Sequence, residues 1–198
     1  MFNTTIATQI YAKICFEATN SQKKIIENLS EYLSDDDFSR IFVLNGFAGT
    51  GKTTLIAAVV AALKELRIKP VLLAPTGRAA KVLARYCGEQ ALTIHKRIYR
   101  QRTNADYESK FSLDFNREQG AVFIVDEASM LSDSTGDGAL FGSGSLLEDL
   151  VSYVRSGRGC RLILVGDSAQ LPPVGCDFSP ALDPATVSRY GEVVYGLM

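Results

Sequence analysis

The chain has 198 residues, 46% of them hydrophobic, and a formal net charge of −1 at pH 7. That suits one domain with or without a small insertion, and enough apolar surface for a substantial core. No apolar run reaches the roughly 18 residues of a membrane span, Met1 to Thr5 lacks a secretory signal, and the four cysteines are too scattered for a zinc site, which points to a cytoplasmic, reducing setting with no membrane partner.

In chain order, apolar residues at 25, 26, 29, 32 and 33 predict a helix over 21–33, with Asn20 or Ser21 as its cap. After Asp35-Asp36-Asp37, Ile41 to Leu44 reads as a buried strand ending at Gly46. Thr53 to Leu66 reads as a helix, Val71 to Ala74 as a strand and Gly77 to Tyr86 as a second helix. Lys96 to Gly120 has no long apolar run and predicts a loop or small hairpin. Val122 to Val125 is a third buried strand, and residues 132–145 are Gly- and Ser-rich and predict a surface loop. A helix from about Leu146 to Val154, a strand from Arg161 to Val165 and one more over Glu192 to Tyr195 complete the pattern. Short apolar strands alternating with helices predict an α/β fold, a parallel sheet with helices on both faces.

Strand, then Gly46-Phe47-Ala48-Gly49-Thr50-Gly51-Lys52-Thr53, then helix is the complete Walker A pattern of a P-loop NTPase in its required context. The glycines let the backbone of Gly46, Ala48, Gly49, Thr50 and Gly51 curl so that N–H groups point at phosphate oxygens. The start of the helix near Lys52 adds its positive dipole end. Lys52 is placed to reach the β- and γ-phosphates, the Thr53 hydroxyl to ligate Mg²⁺, and Thr54 to add a further phosphate contact. A nucleoside triphosphate with Mg²⁺ is therefore the expected ligand.

Val122-Phe123-Ile124-Val125-Asp126-Glu127 is an apolar strand ending in two carboxylates. Parallel strands present their C-terminal ends at one edge, so Asp126 falls close to the phosphate loop and can hold Mg²⁺, directly or through water. Glu127 can orient and deprotonate an attacking water. The strand from Arg161 brings Gln170 to the same edge, where it can sense a γ-phosphate, and Pro172-Pro173 stiffens the adjoining segment. Between Arg78 and Arg102, positive residues (Arg78, Lys81, Arg85, Lys96, Arg97, Arg100, Arg102) are opposed only by Glu89. That segment reads as a phosphate-backbone footprint or as an ordinary solvated helix face.

Five blocks in order make the chain resemble superfamily 1 DNA helicases of the RecD-like branch, over roughly residues 20–180. They are Gly46 to Thr54, Ala74 to Ala80, Thr93-Ile94-His95, Asp126 to Met130, and Gly166 to Val174. The resemblance implies a RecA-like motor domain over 1–198 that hydrolyses ATP and tracks 5′ to 3′ on single-stranded DNA. It implies an adenine-reading role for Gln22 and backbone contacts from Thr76, Gly77 and Arg78. It places Thr93 and His95 at the next contact, and Pro172 and Pro173 on the DNA side. Residues 97–119 stand where the family carries a strand-separating pin. The second RecA-like domain that supplies an arginine finger in the family is not matched, and Arg189 is the sole arginine after Gly175. The isolated chain is thus expected to be a monomer that binds nucleotide weakly, hydrolyses it slowly and does not unwind duplex. Two other readings are a short non-translocating NTP-binding regulatory module and a small-molecule kinase; Asp126-Glu127 and the Gln170 segment disfavour the kinase.

Overall fold

The computed structural model describes residues 2–103, 109–133 and 141–198. Two helices come first, α1 (Phe2–Lys13) and α2 (Asn20–Ser34), followed by β1 (Ile41–Asn45), α3 (Lys52–Glu65), β2 (Pro70–Ala74) and α4 (Gly77–Cys87). Then come β3 (Ala91–Thr93), α5 (Ile94–Ile98), β4 (Tyr99–Thr103), β5 (Ser109–Leu113) and β6 (Val122–Val125). A 3₁₀ turn (Ala128–Met130), α6 (Leu146–Ser156), β7 (Arg161–Gly166), a second 3₁₀ turn (Pro180–Leu182), α7 (Pro184–Val187) and β8 (Val193–Leu197) complete the order.

Six strands form one sheet in the order β3-β2-β6-β7-β1-β8, and every pairing is parallel. The central strands are continuous apolar runs because both faces are covered. Phe42 and Leu44 of β1 join a core with α1, α2 and α3, whereas Ile41 and Val43 face a second core that includes α5 and α6. Ile25, Ile26, Leu29 and Leu33 of α2 are all buried in the first core, each contributing roughly 1.5–3 kcal/mol. The parallel sheet covered on both faces is thus observed as expected.

Three local readings are corrected or extended. The cap of α2 is Thr19 rather than Asn20 or Ser21: its hydroxyl accepts the Gln22 N–H while the Gln22 side chain accepts the Thr19 N–H. This Thr-x-x-Gln box satisfies two helix-end donors at once and prevails over the adjacent residues. Helix α1, unforeseen in the sequence, packs on α2 and α3 through Ile6 and Ile10. Of the two options for Lys96 to Gly120, the hairpin is the one formed, β4 pairing antiparallel with β5, with Tyr99 opposite Leu113 and Gln101 opposite Phe111. Half of the expected 132–145 loop, residues 134–140, lies outside the described residues.

Candidate nucleotide site and flanking basic track

Because all six strands run the same way, the segments leaving β1, β2, β3, β6 and β7 emerge at one edge. These are the phosphate loop, Pro75 to Arg78, the start of α5, Asp126-Glu127 and Asp167 to Gln170. A cavity of about 480 Å³ there is lined by Ala48, Gly49, Gly51, Lys52, Thr53 and Thr54 together with Asp126, Glu127 and Gln170. Five blocks distant in sequence therefore share one edge, and three of them line one pocket. Gly46 and Thr50 lie at the loop's base and turn, and Gln22 borders the loop from α2.

The loop's shape depends on glycine at particular points. Gly49 and Gly51 have φ of 81° and 91°, in the left-handed region that other residues avoid. At Gly46 the demand is space, since a Cβ there would lie 2.8 Å from the Met198 Cβ at the end of β8. Lys52 Nζ donates to the carbonyls of Gly46 (2.6 Å) and Phe47 (2.8 Å), which holds the ammonium across the mouth of the loop. Gln22 is buried with both ends engaged: Oε1 accepts from Thr19 N–H and Nε2 donates to the Thr50 carbonyl at 3.3 Å. Any contact from Gln22 to a base requires exchange of one of these bonds.

Burial raises the Asp126 carboxyl above its usual range, against the opposing pull of the Glu127 N–H and Lys52. Glu127 is raised as well, first by burial and then by the negative charges of Asp126 and Asp167, with Lys52 opposing. Glu127 itself sits in left-handed backbone at φ 54°, a conformation that costs a non-glycine residue on the order of 1 kcal/mol. Clustered carboxylates with one nearby ammonium and a threonine hydroxyl on the same cavity wall form a hard oxygen donor set suited to a divalent cation.

The basic segment is partly consumed within the protein. Arg97 pairs with Glu118 at 2.6 Å, and Glu89 pairs with Lys64 rather than with its own segment. Arg78, Lys81, Arg85, Lys96 and Arg100 make no ion pair among the described residues; the Arg102 side chain lies outside them. The Thr76 hydroxyl caps α4 by accepting the Ala79 N–H, and the Thr93 hydroxyl caps α5 by accepting the Lys96 N–H, both at 3.2 Å. Gly77 opens α4 beside Arg78. His95 is half-buried in an aromatic cluster with Tyr99 (5.6 Å) and Phe141 (5.0 Å), and its pKa is lowered by desolvation. Pro172 and Pro173 line a groove of about 800 Å³ with Met130, Gln170, Leu171 and Val174. Arg189 is tied to Asp133, which also accepts from the Tyr190 hydroxyl.

Three participants belong to no motif that the sequence shows. Val82 and Tyr86 line the 480 Å³ cavity from α4, and Arg78 and Val82 line a neighbouring cavity of about 320 Å³ with Asp126 and Glu127. Arg78, Val82 and Tyr86 follow one another at four-residue steps, a readable helical stripe. Asn45 bonds to the Gln170 segment through Ser168, and nothing local announced it.

Residues 17–177 match the family described as AAA domain. The chain is 31% identical over 154 residues to the ATP-dependent RecD2 DNA helicase of Deinococcus radiodurans, covering 78% of this chain and 19% of that one. It is 35% identical to the RecBCD enzyme subunit RecD of Mycobacterium tuberculosis over 68% of this chain and 24% of that one. It is 34% identical to the ATP-dependent DNA helicase dda of Enterobacteria phage T4 over 66% of this chain and 28% of that one. The chain thus spans about a fifth to a quarter of the length of these relatives. The crystal structure of Pif1 helicase from Candida albicans superposes with a TM-score of 0.54 at 21% identity, over 92% of this chain and 40% of that one, which shows the RecA-like fold. The chain belongs to the AAA domain family and is, within it, a RecD-like superfamily 1 helicase motor domain.

Proposed function

We propose that this chain binds ATP with Mg²⁺ in the 480 Å³ cavity, hydrolyses it, and grips the backbone of single-stranded DNA as one half of a 5′–3′ motor. The observation that carries the reading is the convergence of Lys52, Thr53, Asp126, Glu127 and Gln170 on that one cavity. Backbone N–H groups from Gly46 to Gly51 cradle the phosphates, and Lys52 leaves its carbonyl partners for the β- and γ-oxygens. Thr53 and Asp126 would hold Mg²⁺, which supplies charge neutralisation on the phosphates. Glu127 takes a proton from the attacking water, the water oxygen bonds to the γ-phosphorus, and ADP leaves. The upward shift of Glu127 suits it to that proton. Gln22 would read adenine after releasing the Thr50 carbonyl.

Thr76, Gly77, Arg78, Thr93, Pro172 and Pro173 would follow the DNA backbone, with His95 contributing as a neutral ring. The phosphate loop, Asp126, Glu127 and Gln170 all reach the cavity from this one sheet edge. A second RecA-like domain facing that edge is the proposed partner for full turnover, since an added arginine finger is worth about 10³–10⁵ in rate in other phosphate-loop enzymes.

The test is titration of a fluorescent ADP with Mg²⁺ into the chain and its Lys52→Ala variant, with hydrolysis measured alongside. Binding should weaken about tenfold or more in the variant, a loss in line with a charge-assisted hydrogen bond. Hydrolysis by the chain should be slow with or without a dT oligonucleotide. No binding by the unaltered chain would overturn the reading, and rapid DNA-stimulated turnover would overturn the need for a second domain.

A further inference from the structure

Asn45 is a polar residue at the end of an otherwise apolar buried strand, directly before Gly46. Its amide is fully engaged. Oδ1 accepts the Ser168 N–H at 3.0 Å, while Nδ2 donates to the Ser168 hydroxyl at 2.9 Å and to the Tyr195 hydroxyl at 2.7 Å. Its carbonyl accepts the Met198 N–H, and the adjoining Gly46 N–H donates to Gly166. Three strand ends, those of β7, β1 and β8, therefore meet at this residue.

Ser168 belongs to the turn that presents Gln170. That turn is closed internally by the Gln170 N–H on the Asp167 carbonyl (3.1 Å) and the Ala169 N–H on Asp167 Oδ1 (2.9 Å). These bonds set the shape of the turn but not its seat relative to the phosphate loop. Asn45 supplies the side-chain bonds that seat it. An apolar residue of similar size would satisfy the strand equally well, yet would leave the Ser168 N–H without its partner.

We infer that Asn45 is a positioning residue for γ-phosphate discrimination: it seats Gln170 against the phosphate loop, and Tyr195 orients its amide from β8. The inference rests on the nucleotide-site reading above. Asn45 lies outside the cavity lining, so ADP, held by the loop backbone and Lys52, should not sense its loss. ATP should.

The test compares fluorescent ADP with a fluorescent non-hydrolysable ATP analogue, both with Mg²⁺, in the unaltered chain, Asn45→Ala and Tyr195→Phe, with Tm recorded for each. The unaltered chain should prefer the ATP analogue. Asn45→Ala should cut that preference about fivefold or more while ADP affinity stays within about twofold. Tyr195→Phe, which deletes one hydroxyl, should cut it about two- to threefold. If Asn45→Ala fails to fold, Tyr195→Phe decides alone. An unchanged preference in the folded variants, or equal weakening of both nucleotides, would overturn the inference. So would equal affinity of the unaltered chain for both nucleotides. An unaltered chain that binds neither overturns the nucleotide-site reading itself, and this inference with it.

Discussion

At the N-terminal ends of the strands, Arg161 lies over the rings of Tyr32 and Phe38 at 5.5 and 4.6 Å and donates to the Asp35 carbonyl. Arg40 there bridges Asp35 and Glu192, and Lys69 and Arg97 share Glu118. At the C-terminal ends, Asp126, Glu127 and Asp167 stand near one another with Lys52 as the nearby ammonium, itself turned onto backbone carbonyls. Opposite charges are matched at one end and like charges gathered at the other. The pKa directions reflect this. Burial raises Glu118, but the hydrogen bonds from Lys69 and Arg97 outweigh it and hold the carboxyl below its usual range. Asp126 and Glu127 remain above theirs. One end holds the chain together, and the other has the unmatched charge that the proposed nucleotide and Mg²⁺ would meet.

The contrast can be broken by substitution. The largest effect is expected from Tyr32→Phe. The buried Tyr32 hydroxyl donates to the Leu162 carbonyl (2.8 Å) and accepts the Leu162 N–H (3.0 Å), so its loss removes two buried hydrogen bonds at once. Urea denaturation should show a loss of about 2–4 kcal/mol, with ADP affinity unchanged. Coupled loss of nucleotide binding would show that the two ends are not independent.

A smaller effect is expected from Glu118→Gln, about 0.5–1.5 kcal/mol at pH 7. Glu118 has a lowered folded pKa, so its contribution is present above the unfolded value and fades as pH falls through the folded one. The variant and the unaltered chain should therefore converge in Tm on acidification.

Asp126→Asn should move Tm least, and upward. Asp126 has a raised folded pKa, so ionising it costs stability as pH rises from the unfolded value through the folded one. Removing that charge should raise Tm at pH 7, the gain vanishing below about pH 4, while Mg²⁺-dependent ATP binding is lost. A lower Tm at pH 7 would show that the carboxylate is a stabilising group and that the electrostatic contrast is wrong for this residue.

How much of this was legible in the sequence depends on the range of the interactions involved. Gly46 to Thr53 could be read directly because its glycines, lysine and threonine act within eight residues, flanked by an apolar strand and a helix. Asp126 and Gln170 were readable through one step of topology, the shared direction of parallel strands. Thr19 could have been found, since Thr-x-x-Gln is a local cap signature, but Asn20 and Ser21 beside it are equally good caps in isolation. Asn45 and Tyr32 could not. Their partners Ser168 and Leu162 lie 123 and 130 residues away, and only the order of the strands makes them neighbours. The same holds for Arg97, which reads as a DNA cation until Glu118 is brought against it.

The strand order also bears on how the molecule comes into being. β1, which carries the phosphate loop, pairs only with β7 and β8, the last two of the six strands to leave the ribosome. Until then the segment from Ile41 to Asn45 is a nascent apolar strand with both edges open. Sheet closure must wait until β7 and β8 have been made, and the loop closures over more than a hundred residues make it slow. The nascent chain through that interval is a natural client for chaperones and a hazard for edge-to-edge aggregation.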